Sequence, residues 1–239
     1  MTELLYQTDA YLKEFRAVVR AVDEAARAIV LDRSAFYPGG GGQPCDYGQI
    51  SLDGVVYPLT SVKKIGADVF HFLGGDDPLP AVGATVSATI DWERRYKLMR
   101  THTALHVLCG TVFRDYGAQV TGGNMDPLEG RMDFEFATLR AELVGEIEAA
   151  VNREVAAAHE VRVKILPREE AFQIPDLIRT KINLLPEGIS EIRTVELVGL
   201  DLQADGGTHV HNTSEIGAIR VVDYKSKGAI NKRIYIKVE

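Results

Sequence analysis

The chain has 239 residues, of which 46% are hydrophobic, 26% charged and 8% aromatic. This composition excludes the disordered, collagen-like and low-complexity classes, and the length supports a core that buries roughly 70–75% of the unfolded surface without a disulfide or metal to hold it. Twenty-seven basic residues against 34 acidic give a formal net charge of −7, which argues against salt-driven nucleic-acid binding over the whole surface. Every apolar run is strand-sized and far short of the ~20 residues of a membrane span. Glu3, Asp9 and Glu14 precede any long apolar stretch, a pattern unlike a signal peptide. The chain therefore reads as cytoplasmic and free of any membrane. Two cysteines, Cys45 and Cys109, are too few for a disulfide scaffold, and Cys109 falls in an amphipathic helical pattern that suits a reduced, half-buried thiol.

Alternation of apolar and polar residues predicts six strands in the first ninety residues: Phe15–Val22, Ala26–Leu31, Gly48–Leu52, Val55–Val62, Val69–Leu73 and Ala84–Ile90. With turn signals at Asp53-Gly54 and Gly74-Gly75, they predict a small closed or partly closed β-barrel. From Asp91, placed as an N-cap, to Tyr116 the period becomes helical. A second helix is expected over Thr138–His159, with Leu139, Leu143, Ile147 and Val151 on one stripe. Strands are expected near Val120 and Met125, over Arg131–Phe136 and Val161–Leu166, and around Ile192–Val198, Gly217–Asp223 and Arg233–Val238, with a short helix over Pro167–Phe172. The fold class is α+β: a glycine-rich barrel over residues 1–90, followed over 91–239 by helices on a largely antiparallel sheet.

One irregular loop interrupts the barrel, and it contains four consecutive glycines, Gly39 to Gly42, followed by Gln43-Pro44. Such a run costs conformational entropy, so close backbone approach to a ligand is one reading and a flexible barrel loop the other. It is not a phosphate loop, because no Gly-Lys-Ser/Thr follows.

The residues that carry chemistry are two pairs. His102 and His106 stand four apart on the first helix, so both imidazoles share one face. Asp205 and His209 flank a glycine-rich turn that lets both side chains point to one centre. Three nitrogens and one carboxylate form a ligand set suited to zinc. His71, His159 and His211 are left to surface or packing roles. A zinc peptidase would need Glu directly after the first histidine, where this chain has Thr103.

These motifs, in order, are Phe36-Tyr-Pro-Gly-Gly-Gly-Gly-Gln-Pro44, Arg100-Thr-His-Thr-Ala-Leu-His106, Arg131-Met-Asp-Phe-Glu-Phe136, Asp201-Leu-Gln-Ala-Asp-Gly-Gly-Thr-His-Val210 with Thr213 to Gly217, and Asn231-Lys-Arg-Ile234. They cover nearly the whole chain, which resembles the free-standing alanyl-tRNA editing proteins (AlaX) of medium length and the editing domain of alanyl-tRNA synthetase. The resemblance implies a zinc-bearing editing core that hydrolyses, in trans, the ester of tRNA(Ala) mischarged with serine or glycine, with no obligatory protein partner. One position departs from the family motif, which has Cys where this chain has Asp205. Either Asp205 ligates through oxygen or the site is three-histidine with an open position.

The chemistry of that substrate suggests where it is read, the other reading being that Thr103 only back-bonds its helix and Thr208 only shapes its turn. Thr103 and Thr208 are expected to read the seryl hydroxyl, and the Gly39, Gly40, Gly41, Gly42 and Gln43 backbone to meet the aminoacyl-adenosine. A basic path for tRNA is expected from Arg94, Arg95, Lys97 and Arg100 and from Lys225, Lys227, Lys232 and Arg233. From Arg220 onward the tail carries six basic and two acidic residues. Zinc either activates water or orients the ester. Two other readings remain at this point: editing of another ester such as seryl-tRNA(Thr), and a non-catalytic zinc-stabilised RNA-binding module.

Overall fold

The structure is a computed structural model that describes residues 1–178 and 188–239. It divides into two compact units, Met1–Tyr96 and Lys97–Glu239. Among the described residues no helix is long and apolar enough to cross a membrane.

In the first unit, β1 (Glu3–Leu4) pairs in parallel with β4 (Arg33–Ser34). The barrel is built from β2 (Glu14–Asp23), β3 (Ala28–Leu31), β5 (Gly48–Leu52), β6 (Val55–Ile65), β7 (Asp68–Leu73) and β8 (Thr85–Ile90), closed in the order β2-β3-β7-β6-β5-β8. The six strands are those the alternation predicts. Their inward residues, among them Phe15, Val19, Ile29, Leu31, Ile50, Val62, Val69 and Val86, form one core, and closure leaves the barrel without the unpaired edges that make open sheets adhesive. Asp53 and Gly54 sit at φ 49° and 87° between Leu52 and Val55, which pair. This is the left-handed pair a two-residue hairpin requires.

The second unit holds most of α1 (Trp92–Tyr116), then β9 (Val120–Asp126), β10 (Glu129–Glu135), α2 (Ala141–Ala156), β11 (Val161–Pro167), α3 (Arg168–Ala171), β12 (Glu191–Leu197), β13 (Asp201–Ala204), β14 (Ile219–Ser226) and β15 (Asn231–Val238). Asp91 caps α1, its Oδ1 accepting the Arg94 N–H at 3.1 Å. From Thr101 to Val112 every residue of α1 is buried, so Cys109 is fully rather than half buried (1% exposed). The sheets, β14-β15-β10-β9 and β11-β12-β13, are antiparallel. α2 is shorter than expected: Thr138 and Leu139 lie outside it, and its core stripe is Val144, Ile147, Val151 and Val155. Its end follows from Ala158, whose φ of 56° cannot continue a right-handed helix. β13, which no alternation announces in four residues, was not anticipated.

Candidate metal centre

His102 and His106 project from one face of α1, one turn apart, with ring centroids separated by 5.2 Å. The other pair comes from the turn after β13. There the Asp205 N–H donates to the Arg193 carbonyl at 3.1 Å, and Arg193 Nη1 donates back to the Asp205 carbonyl at 2.9 Å. The Gly207 N–H donates to Asp205 Oδ2 at 2.8 Å, curling the turn around its own carboxylate. His209 then lies 4.2 Å from His102 and 4.7 Å from His106, ring to ring. One ligand atom from each of the four residues falls within 4.8 Å of the others.

The donor set fits a divalent cation. Thr103 Oγ1 donates to the Met99 carbonyl one turn back at 2.9 Å, so its oxygen accepts from His209 Nδ1 at 3.2 Å. The proton of His209 is thereby placed on Nδ1, and its Nε2 lone pair faces Asp205 Oδ2 at 3.0 Å. Two electron pairs opposed at that distance are unfavourable until a cation, or a shared proton, lies between them. Burial lowers the His102 pKa to about 4 and holds His209 well below the usual imidazole value. For Asp205 burial opposes ionisation, yet the neighbouring His102 and His209 outweigh it and hold the carboxyl well below the usual range. Burial likewise opposes charge on His106, and the hydrogen bond that its Nδ1 donates to the Asp201 carboxylate, with the charge of that carboxylate, outweighs it, leaving that pKa raised. At neutral pH the set therefore holds two neutral imidazoles and an ionised carboxylate, the protonation state a metal requires of its ligands.

Thr103, expected either to read a seryl hydroxyl or to back-bond its helix, does the latter, and Thr208 lies in the turn beside His209. Both are fully buried. The Thr103 oxygen donates to Met99 and accepts from His209 and from the Val210 N–H at 3.2 Å, so it is spent on positioning a ligand. The Thr208 backbone hydrogen-bonds His102. Arg193 and Asp201, which contact this cluster, were missed.

The glycine loop forms an ordered hairpin. Gly40 and Gln43 exchange two backbone hydrogen bonds of 3.0 and 2.9 Å, and Gly41 and Gly42 at the tip take φ 59° and 89°. Tyr37 Oη donates to the Gly40 carbonyl at 2.9 Å. Gly39 is half-buried, Gly40 and Gly41 are exposed, and Gln43 is buried, so its side chain shapes the base of the hairpin.

The expected basic path is largely neutralised. Arg95 is a correction: it is fully buried, ion-paired with Asp46, and donates to the Ala10 and Ala35 carbonyls at 2.9 and 2.6 Å. Lys232 is a second, with 7% exposure and its Nζ on Ser226, Gly228 and Ala229, closing the β14–β15 turn. Arg233 pairs with Asp133 at 2.6 Å, Lys225 with Asp223 at 2.9 Å, and Arg100 donates to the Ile216 and Glu239 carbonyls. Arg94 and Lys97 are half-buried and Lys227 is exposed. Arg233 faces an acidic residue of a neighbouring strand, a pairing that a count along the sequence does not reveal.

Two family models match the chain: tRNA synthetases class II (A) over residues 3–94, and the threonyl and alanyl tRNA synthetase second additional domain over residues 192–235. The class is thus that of domains shared with aminoacyl-tRNA synthetases. The chain is 38% identical to the alanyl-tRNA editing protein AlaX-M of Methanosarcina mazei, over 100% of this chain and 97% of that one. It is 38% identical to AlaX-M of Saccharolobus solfataricus over 100% of both. It also aligns at 38% identity with alanine–tRNA ligase of Pyrobaculum neutrophilum, over 92% of this chain and 25% of the ligase. The chain belongs to the AlaX-M family of alanyl-tRNA editing proteins.

Proposed function

We propose that the chain is a zinc-dependent deacylase that acts in trans on tRNA(Ala) mischarged with serine, and also with glycine. The observation that carries the reading is the buried cluster of three imidazoles and one carboxylate, His102, His106, Asp205 and His209, in a protein of this family. Zinc at such a site supplies Lewis-acid chemistry, polarising an ester carbonyl or a water. Hydrolysis adds water oxygen to the ester carbonyl, breaks the acyl bond to the ribose oxygen and returns a proton to that oxygen. The residues of the chain hold the cation, exclude bulk water by burial, and keep the His102 and His209 imidazoles neutral. The biological logic is a sieve: a synthetase pocket for alanine admits glycine and cannot strongly reject an added hydroxyl, so a second site removes the products.

The test compares hydrolysis of seryl- and alanyl-tRNA(Ala) by zinc-loaded and chelated protein. Metal-dependent loss of the seryl ester with the alanyl ester spared is expected. Cleavage of neither would overturn the reading, and preference for seryl-tRNA(Thr), which the shared threonyl and alanyl family model makes the second candidate, would redirect it. A further arm addresses the proposed substrate contact of the Gly39–Gln43 hairpin. A side chain at Gly41 meets nothing within 4 Å, and Asn tolerates a positive φ, so Gly41→Asn should preserve stability while raising KM for the mischarged tRNA.

A further inference from the structure

His102 and His106 are followed at the same spacing by Gly110, a glycine in the middle of α1. At such a position glycine costs about 1 kcal/mol relative to alanine, so something other than helix formation must favour it. The reason is steric. A Cβ on Gly110 would lie 2.8 Å from the Asp201 Cβ and 3.1 Å from the Leu200 side chain and carbonyl. The missing side chain lets the start of β13 press against the helix one turn beyond His106.

Asp201 uses that approach. Its Oδ2 stands 3.1 Å from His106 Nδ1 and accepts from Gln203 Nε2 at 2.6 Å. The residue is 4% exposed. Asp201, Gln203 and Asp205 alternate along one face of β13 and its continuation, so the strand that carries one candidate ligand also carries the group that addresses another. Neither Asp201 nor Gly110 can reach a substrate through this packing.

We propose that Asp201, admitted by Gly110 and fixed by Gln203, is a positioning residue that holds His106 with its proton on Nδ1 and its Nε2 lone pair turned to the metal. The inference rests on the metal-centre reading. A carboxylate behind a ligating imidazole fixes its tautomer and ring orientation and raises its basicity, and loss of such a partner costs 10–100-fold in affinity.

Zinc affinity, measured by competition with a chromophoric chelator, should fall about 10-fold in Asp201→Asn, which keeps an acceptor, and towards about 100-fold in Asp201→Leu, which does not. Gly110→Ala should weaken zinc in the same direction by displacing Asp201. The control is Gly145→Ala in α2, where a Cβ meets nothing within 4 Å; it should leave zinc affinity unchanged. In the metal-free protein at mildly alkaline pH, ¹⁵N resonances should report His106 protonated on Nδ1, a bias that Asp201→Leu removes. If Asp201→Leu does not fold, Asp201→Asn and Gly110→Ala carry the test. An Nε2-protonated His106 in the parent protein, or unchanged zinc affinity in the folded Asp201 variants, would overturn the proposal. Absence of zinc binding by the parent protein would instead overturn the metal-centre reading, while the tautomer of His106 would still decide this one.

Discussion

Each unit buries a polar cluster, and the two clusters differ in how their hydrogen bonds close. In the first unit, Arg95 at the start of α1 directs its guanidinium to Asp46, Ala10 and Ala35, while Asp46 also accepts the Tyr37 N–H at 2.6 Å. Every partner is complementary: cation to anion, N–H to carbonyl. In the second unit the outer contacts are complementary too, with Thr103 on His209 and Asp201 on His106, yet at the centre His209 Nε2 and Asp205 Oδ2 face each other as two acceptors. A buried network that closes on itself is architecture. One that is complementary at its rim and gathers four metal-ligating side chains at its centre leaves a place for a cation.

The contrast can be broken first at the barrel. Arg95→Met leaves the Asp46 carboxylate buried without its cation and should cost about 3–5 kcal/mol by urea denaturation. The double variant Arg95→Met/Asp46→Leu should recover much of that loss, because replacing both members of a buried pair by apolar residues of similar size is often close to neutral. Failure of the double variant to recover would mean that the hydrogen bonds to Ala10, Ala35 and Tyr37, rather than the ion pair, hold the two stems of the glycine hairpin.

How much of this was legible follows from the range of each interaction. The barrel strands announce themselves because one face of each is buried and the side-chain period is two, as in β7, where Val69, His71 and Leu73 alternate inward. The His102/His106 pair was legible because helical spacing alone puts both rings on one face. Asp205 and His209 were legible because a glycine turn joins them. Asp201 was not, because its meaning lies in a contact across 95 residues with His106 and in the absence of a side chain at Gly110. The basic tail was misjudged for the same reason: Asp133 neutralises Arg233 from a strand 100 residues away. Arg95, adjacent to Arg94, looked like part of a surface path; the periodicity of α1 did not show that only one of the two turns inward.

A second effect, nearly as large, belongs to a third buried polar group. His71 is fully buried in the barrel, with Nε2 2.8 Å from Ser34 Oγ and Nδ1 3.3 Å from the Ile29 carbonyl. Burial lowers its pKa to about 4. The unfolded chain takes up a proton there near pH 6.5, while the folded barrel does not until about pH 4. This contribution to stability is therefore complete above pH 6.5 and is lost as pH falls towards 4, by about 3 kcal/mol. Unfolding free energies of the parent protein and of His71→Asn across that window check it. The variant should lack this part of the pH dependence, and an unchanged slope would assign the loss to other groups.

The smallest effect sharpens the comparison most, because its sign differs between the clusters. Removing charge from the barrel pair at Asp46 strands a buried guanidinium. At Asp205 the same kind of change should help the metal-free fold. Asp205→Asn keeps an oxygen for the Gly207 N–H, at 2.8 Å from Oδ2, and turns an amide N–H towards His102 Nε2, which stands 3.5 Å from Oδ1. The contact with His102 becomes one of donor and acceptor, while the oxygen facing His209 Nε2 stays in place. The metal-free protein should gain about 1 kcal/mol, the value of one net hydrogen bond, while zinc affinity falls because a neutral amide is a poorer ligand than a carboxylate. Thermal or urea unfolding in the presence of chelator reads the first effect, and chelator competition reads the second. A metal-free variant that loses stability would mean that Asp205 already closes its network as Asp46 does. The centre would then be architecture, and the three imidazoles alone would have to account for the chemistry.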